Sequence, residues 1–188
     1  MSGAGEDGNG LRRMPGDPPR EEMLARMVRV NHAGEFGAVR IYQGQLAVLG
    51  GRACAPAIRA MAETEQDHLR TFERALVERR VRPTLLHPLW NVAGFVLGAG
   101  TALLGEKAAM ACTVAVEEVI EEHYADQAET LGDAEPELRR VIESHREDEI
   151  EHRDIGLANG ADTHPLYPVL SSTIRAGTRL AIWLSTRL

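Results

Sequence analysis

The feature that most constrains this chain is a four-residue pattern that occurs twice: Glu-x-x-His, at Glu65–His68 and again at Glu149–His152. Around the first copy Ile58, Met61, Phe72 and Leu76 recur at steps of three and four, and Leu138, Val141, His145 and Ile155 do the same around the second. That period predicts a helix from Pro56 to about Arg80 and another from about Pro136 to Leu157, each with its acid and imidazole on the face that is to be buried. Two further helices follow from the same reasoning. From Glu21 to Leu49, the stripe Leu24, Val28, Asn31, Glu35, Ala38, Tyr42, Leu46 carries Glu35; from about Lys107 to Leu131, the stripe Met110, Val114, Glu117, Ile120, Tyr124, Leu131 carries Glu117.

Isolated carboxylates in an apolar core cost several kcal/mol each or take up a proton, so four of them need one shared reason. A pair of metal ions supplies it. Glu and His at i and i+3 share a helix face, and a Glu from each of two more helices completes the di-metal carboxylate pattern of helical bundles. With twenty Glu and seven His in 188 residues, about 0.7 such motifs are expected by chance, so the motif alone is weak. The order of the acids is stronger. Glu65 follows Glu35 by 30 residues and Glu149 follows Glu117 by 32, which reads as two similar helical hairpins joined by a long crossover. Charge balances as well: four carboxylates carry −4 and two divalent cations +4. Oxygen and imidazole donors suit iron or manganese.

Composition narrows the function classes. At 188 residues and 44% hydrophobic content the chain can bury one sizeable core, and a net charge of −7 argues against nucleic acid as a partner. Cys54 and Cys112 form no CxxC pair and read as buried structural thiols, which excludes a thiolate zinc site, an iron–sulfur cluster and a rubrerythrin-like second iron site. No GxGxxG follows a strand, so reducing equivalents must come from outside. Residues 1–20, rich in Gly and Pro, read as a disordered tail, leaving one domain over residues 21–188. Gly34, Gly37 and Gly44 interrupt the first helix where each costs about 1 kcal/mol relative to alanine. They mark places where a partner helix or a substrate comes against the backbone beside Glu35.

The phrases "RVNHAGEFGAVRIYQGQLAVLG", "EQDHLRTFERAL", "AMACTVAVEEVIEEHYADQ" and "REDEIEHRDIGL", with the ending "IRAGTRLAIWLSTRL", are similar to the demethoxyubiquinone hydroxylases, di-iron monooxygenases of ubiquinone biosynthesis. The similarity runs over about residues 22–188. It implies an all-α, ferritin-like four-helix bundle with an added apolar crossover and a C-terminal helix. It also implies two iron ions per chain, held by Glu35, Glu65, His68, Glu117, Glu149 and His152, the residues the stripes select. The implied reaction is oxygen-dependent hydroxylation of the quinone ring of demethoxyubiquinone or its quinol, with electrons from an external donor, NADH in the family. The implied partners are a polyprenyl quinone, molecular oxygen and a lipid-binding companion protein, and homo-oligomer formation stays open. Asn31 and Phe36 stand where many relatives have Asp and Tyr.

Other residues stay open at this level. Tyr124, seven after Glu117, is a candidate for lining the substrate cavity or for the core; His145 and His32, a turn before Glu149 and Glu35, are candidates for supporting ligands or for packing. Of the neighbouring acids, Glu118, Glu121 and Glu122 are less favoured than Glu117, and Glu121, one turn along, is a candidate substitute ligand in an oxidised state. His87 and His164 adjoin prolines in expected turns. Six ligands of this kind would equally serve a ferritin-type iron-oxidising and storage protein, and the surface separates the two readings. The run Pro83–Gly105 has no charge, and Val169–Leu188 sets Leu180, Trp183 and Leu184 among Arg175, Arg179 and Arg187. A polar storage shell needs neither. Together they predict a hydrophobic mouth held at a membrane surface without spanning it. The expected place is the cytoplasmic face of a bacterial-type inner membrane, or the mitochondrial inner membrane for a chain trimmed of a transit peptide.

Overall fold

The computed structural model describes residues 18–188 and leaves residues 1–17, where most of the expected tail falls, outside the described residues. Six α-helices follow one another: α1 Arg20–Leu49, α2 Ala55–Glu78, α3 His87–Leu103, α4 Glu106–Leu131, α5 Pro136–Ala158 and α6 Tyr167–Arg187, with a 3-10 turn at Ala161–Thr163 before the last. No strand occurs among the described residues. Proline lies in the first turn of α2, α3, α5 and α6, where its missing N–H costs no intrahelical bond. Gly105 links α3 to α4 at φ +115, a conformation that an L side chain resists.

The expected hairpins are present: α1 packs on α2, and α4 on α5. Two clusters of buried side chains fill the space between them, one around Val28, Phe72, Tyr124 and Ile142 and one around Tyr42, Ile58, Met61 and Met110. The metal-binding candidates lie between these clusters, near the middle of their helices. Every stripe position named for α2 and α4 is buried, while on α5 Val141 and Ile155 are only half-buried and Ile142 is buried in the place expected of Val141. All residues from Ala108 to Glu117 are buried, because α4 is wrapped by α5, α6 and α3 as well as α1.

The uncharged crossover is the helix α3, and it lies along α1. The contact is backbone on backbone. A Cβ on Gly44 would sit 2.2 Å from the Phe95 carbonyl oxygen, and a Cβ on Gly98 would sit 1.9 Å from that of Ile41. A Cβ on Gly94 would sit 2.9 Å from the Gly37 carbonyl oxygen and 2.9 Å from Cβ of Arg40. His87, expected in a turn, instead opens α3 and packs its ring on Phe36 at 3.8 Å. α3 has 17 residues, about 25 Å at 1.5 Å per residue, short of the apolar thickness of a bilayer. No helix of the described residues is long and apolar enough to cross a membrane.

These contacts give the first test. Gly98→Ala should destabilise the protein by about 1–3 kcal/mol, since neither backbone can yield without parting the helices. Gly100→Ala, on the same helix with open space around it, should stabilise by up to about 1 kcal/mol. Urea unfolding of the two variants measures both signs.

Candidate metal centre

Glu35, Glu65, His68, Glu117, Glu149 and His152, one or two from each helix of the two hairpins, all converge and are all at least 96% buried. Their atoms sort into two overlapping groups whose donors lie within 4.8 Å of one another: Glu35, Glu65, His68 and Glu149, and Glu65, Glu117, Glu149 and His152. Glu65 and Glu149 belong to both. Glu149 places Oε1 3.4 Å from His68 Nδ1 and Oε2 3.4 Å from His152 Nδ1, while Glu65 turns Oε1 to His152 at 2.9 Å and Oε2 to His68 at 3.9 Å. These two carboxylates therefore face both halves of the site, and Glu35 and Glu117 close its ends.

Partner counts set out what the site could hold. Both oxygens of Glu65 and of Glu149, Oε2 of Glu35 and of Glu117, and Nδ1 of His68 and of His152 are buried without a hydrogen-bond partner. Eight orphaned donor atoms in one volume would be strongly destabilising. Two divalent cations fit them by charge, by ligand chemistry and by position.

The remaining oxygens are held by phenols. Tyr42 of α1 donates to Oε1 of Glu117 on α4 at 2.7 Å, and Tyr124 of α4 donates to Oε1 of Glu35 on α1. Each of the two end carboxylates thus has one oxygen engaged and one free. Tyr124 is buried in the core and does not line the apolar cavity between α3 and α6, so its place beside Glu35 differs from the cavity-lining role considered for it. Beyond the tyrosines, Gln127 exchanges amide hydrogen bonds with Asn31 at 2.8 Å, and Gln45 donates to Thr113 at 3.3 Å and to the Ala109 carbonyl. The sequence held a signal for all of this. Tyr lies seven and Gln ten residues after the acid in both α1 and α4, a repeat visible once Glu35 is aligned on Glu117.

Around the candidate ligands, Asp148 meets His68 Nε2 at 2.9 Å and so turns Nδ1 toward the acids. His145 is buried, stacks on His68 at 3.8 Å and stands 3.7 Å from Glu35 Oε1. His32 lies apart from the cluster beside His87, and burial followed by the His87 charge pulls its pKa down to about 4. Glu118, Glu121 and Glu122 turn away to Arg175, Arg146 and Arg179, so Glu121 is committed to an ion pair rather than to the site.

Protonation in the metal-free protein follows from crowding. Burial, then the charge of Glu149, holds Glu65 and Glu117 well above the usual carboxylate range. Burial works against protonated His68, but Glu149 and Glu35 outweigh it and raise that imidazole to about 11. Burial also opposes ionised Glu35, and the imidazoles of His145 and His68 beside it pull it below its ordinary value. Glu65, Glu117 and His68 therefore keep protons that the unfolded chain releases, and stability from raised groups fades as pH climbs toward their folded pKa. Glu35 and His32 are lowered instead, so they affect stability only at acid pH, below their ordinary values of 4.5 and 6.5. The metal-free protein should thus melt at a lower temperature at pH 9 than at pH 7. Cations replace those protons, so the gain in melting temperature on metal loading should widen over the same interval, as calorimetry at matched ionic strength can measure.

Residues 22–185 match the family model for ubiquinone biosynthesis protein COQ7. The chain is 59% identical over 176 residues to the 3-demethoxyubiquinol 3-hydroxylase of Rhodospirillum rubrum, spanning 93% of this chain and 83% of that one. It is 56% identical over 167 residues to the human NADPH-dependent 3-demethoxyubiquinone 3-hydroxylase, mitochondrial, spanning 87% and 77%. With the yeast 5-demethoxyubiquinone hydroxylase, mitochondrial, identity is 39% over 182 residues, spanning 88% and 78%. A match over nearly all the described residues, together with a helical bundle around paired Glu-x-x-His motifs, places this chain in the COQ7 family of ubiquinone biosynthesis proteins.

Proposed function

We propose that the protein hydroxylates the ring of a demethoxyubiquinol, using dioxygen at two iron ions held by Glu35, Glu65, His68, Glu117, Glu149 and His152. The observation that carries this reading is the set of eight orphaned, buried donor atoms in one volume, in a chain 59% identical to a named 3-demethoxyubiquinol 3-hydroxylase. One oxygen atom enters the ring as hydroxyl and the other leaves as water, which consumes two electrons and two protons. Iron, when bound, supplies the redox chemistry toward dioxygen. The electrons come from outside the chain. The human relative's name specifies NADPH where the resemblance implied NADH, and the reading takes a reduced nicotinamide as their source.

The chain's own part is to position the ring and keep water away. A cavity of about 290 Å³ opens between α3 and α6, with α1 as its floor and Val116 and Ile120 of α4 behind it. Gly34 and Gly37 have no atom within 4 Å of where a Cβ would stand, so a flat ring can lie on bare helix backbone next to Glu35. Gly34 and Val116, which line this cavity, adjoin Glu35 and Glu117 in sequence, so the cavity runs along the outer side of the same turns of α1 and α4 that carry those acids. Trp90 of α3 donates to Ser185 of α6 at 2.9 Å and ties the two walls together. Leu89, Val92 and Val96 on α3, and Leu180 and Trp183 on α6, stand exposed on the walling helices. A storage protein has no use for an apolar mouth of this kind, whereas a polyprenyl tail staying in lipid requires one.

Two measurements test the reading. Iron-loaded protein given a short-chain demethoxyubiquinol, NADPH and ¹⁸O₂ should yield a product carrying one labelled oxygen. Glu117→Gln should keep the helical fold but lower turnover at least about 100-fold, since the amide fills the same space without the anionic oxygen. Iron oxidation with no labelled quinone from the intact protein would favour storage. In co-sedimentation with anionic vesicles, the intact protein should pellet and the Leu180→Ser, Trp183→Ser double variant should shift to the supernatant. Equal partition of the two would remove the mouth from membrane docking.

A further inference from the structure

The two hairpins correspond position by position, Glu35 to Glu117, Tyr42 to Tyr124, Glu65 to Glu149 and His68 to His152, and the places where this correspondence fails are informative. Four residues before the Glu of each Glu-x-x-His motif stand Met61 on α2 and His145 on α5. Met61 is fully buried and its sulfur meets the Tyr42 hydroxyl at 3.8 Å, so a thioether is enough to fill this place. An imidazole is not needed for packing. Yet His145 is 92% buried with Nδ1 lacking any hydrogen-bond partner. A nitrogen of His145, a nitrogen of His68 and an oxygen of Glu35 all lie within 4.8 Å of one another.

A second difference falls in the same half. One residue before each Glu stand Thr64 and Asp148. Thr64 donates to the Ala60 carbonyl of its own helix, whereas Asp148 reaches across to His68 Nε2. A carboxylate behind an imidazole fixes its orientation and raises its basicity toward a metal.

We propose that His145 is an additional metal ligand, and that with Asp148-supported His68 it makes the position at Glu35 the tighter of the two. The proposal rests on the di-metal reading above. The position at Glu117 offers one imidazole, His152, and the Met61 sulfur is turned to Tyr42. The position at Glu35 offers two. Nitrogen donors favour the later first-row divalent ions, so loading is ordered: the first ion settles among Glu35, His68 and His145, and the second beside Glu117 and His152.

Cobalt(II), which does not react with dioxygen in such ligand sets as iron does, is the probe. Titration of the metal-free full chain, followed by visible absorption, should show two steps, the first about 10- to 100-fold tighter than the second. His145→Met, which copies Met61, should weaken the first step by that factor, and Met61→His should tighten the second. X-ray absorption at one cobalt per chain should count two imidazoles in the natural protein and one in His145→Met. Two imidazoles retained in that variant, or a titration it leaves unchanged, would overturn the proposal. Where His145→Met fails to fold, the natural protein decides alone, since one imidazole at one cobalt per chain refutes the assignment. Failure to take up any cobalt defeats the metal-centre reading along with it; two equal steps defeat only the inequality.

Discussion

The structure turns on the electrostatic cost of four carboxylates held in a volume that water does not reach. Glu35, Glu65, Glu117 and Glu149 are each at least 99% buried, and among the described residues no arginine or lysine is buried beside them. Such a cluster is tolerable only when cations or protons sit inside it. That requirement explains why both hairpins present their acids near the middle of each helix, equally far from solvent at either end. It also explains the rigid phenols of Tyr42 and Tyr124, which settle one oxygen of each end carboxylate and leave the other for a cation.

Those phenols cross between the hairpins, and that crossing holds the halves in register. Tyr42 leaves α1 for an acid on α4, and Tyr124 leaves α4 for an acid on α1. Gln45 and Gln127 repeat the exchange one turn farther out, at Thr113 and Asn31. Each of these four side chains makes a hydrogen bond to the opposite hairpin. A slide of α1 along α4 would therefore break hydrogen bonds at both ends of the site together, which specifies the alignment more sharply than apolar contact does.

Much of this was legible in the sequence because the acids broke an otherwise regular apolar stripe. Glu65 and His68 stood among Ile58, Met61 and Phe72, and no solvated helix face has that company. Helix limits were legible too, from Pro56 and Pro136 near the starts of α2 and α5. What stayed hidden depended on helix-to-helix geometry. Tyr124 could not be assigned to Glu35 by period alone, since its hydroxyl crosses to a residue 89 positions away. Asp148 was invisible because it lies off the buried stripe and only the approach of α5 to α2 brings it to His68. Asn31 and Phe36, unusual in the resemblance, found ordinary partners in Gln127 and His87.

The glycines of α1 gain their meaning from the same geometry, because this helix serves two neighbours at once. Its inward face carries Glu35 and Tyr42 to the candidate metal site, and its outer face meets α3 and the cavity. Gly44 lets α3 come down to backbone contact, while Gly34 and Gly37 leave the adjoining stretch of α1 bare. Close approach at one end and open space at the other are two results of one missing side chain. Alanine at Gly44 would strike the Phe95 carbonyl and move a cavity wall, whereas alanine at Gly34 or Gly37 would leave the helices in place and occupy the cavity floor. The helix propensity lost at these positions is thus exchanged for a wall that is fixed and a floor that is accessible, one residue away from Glu35.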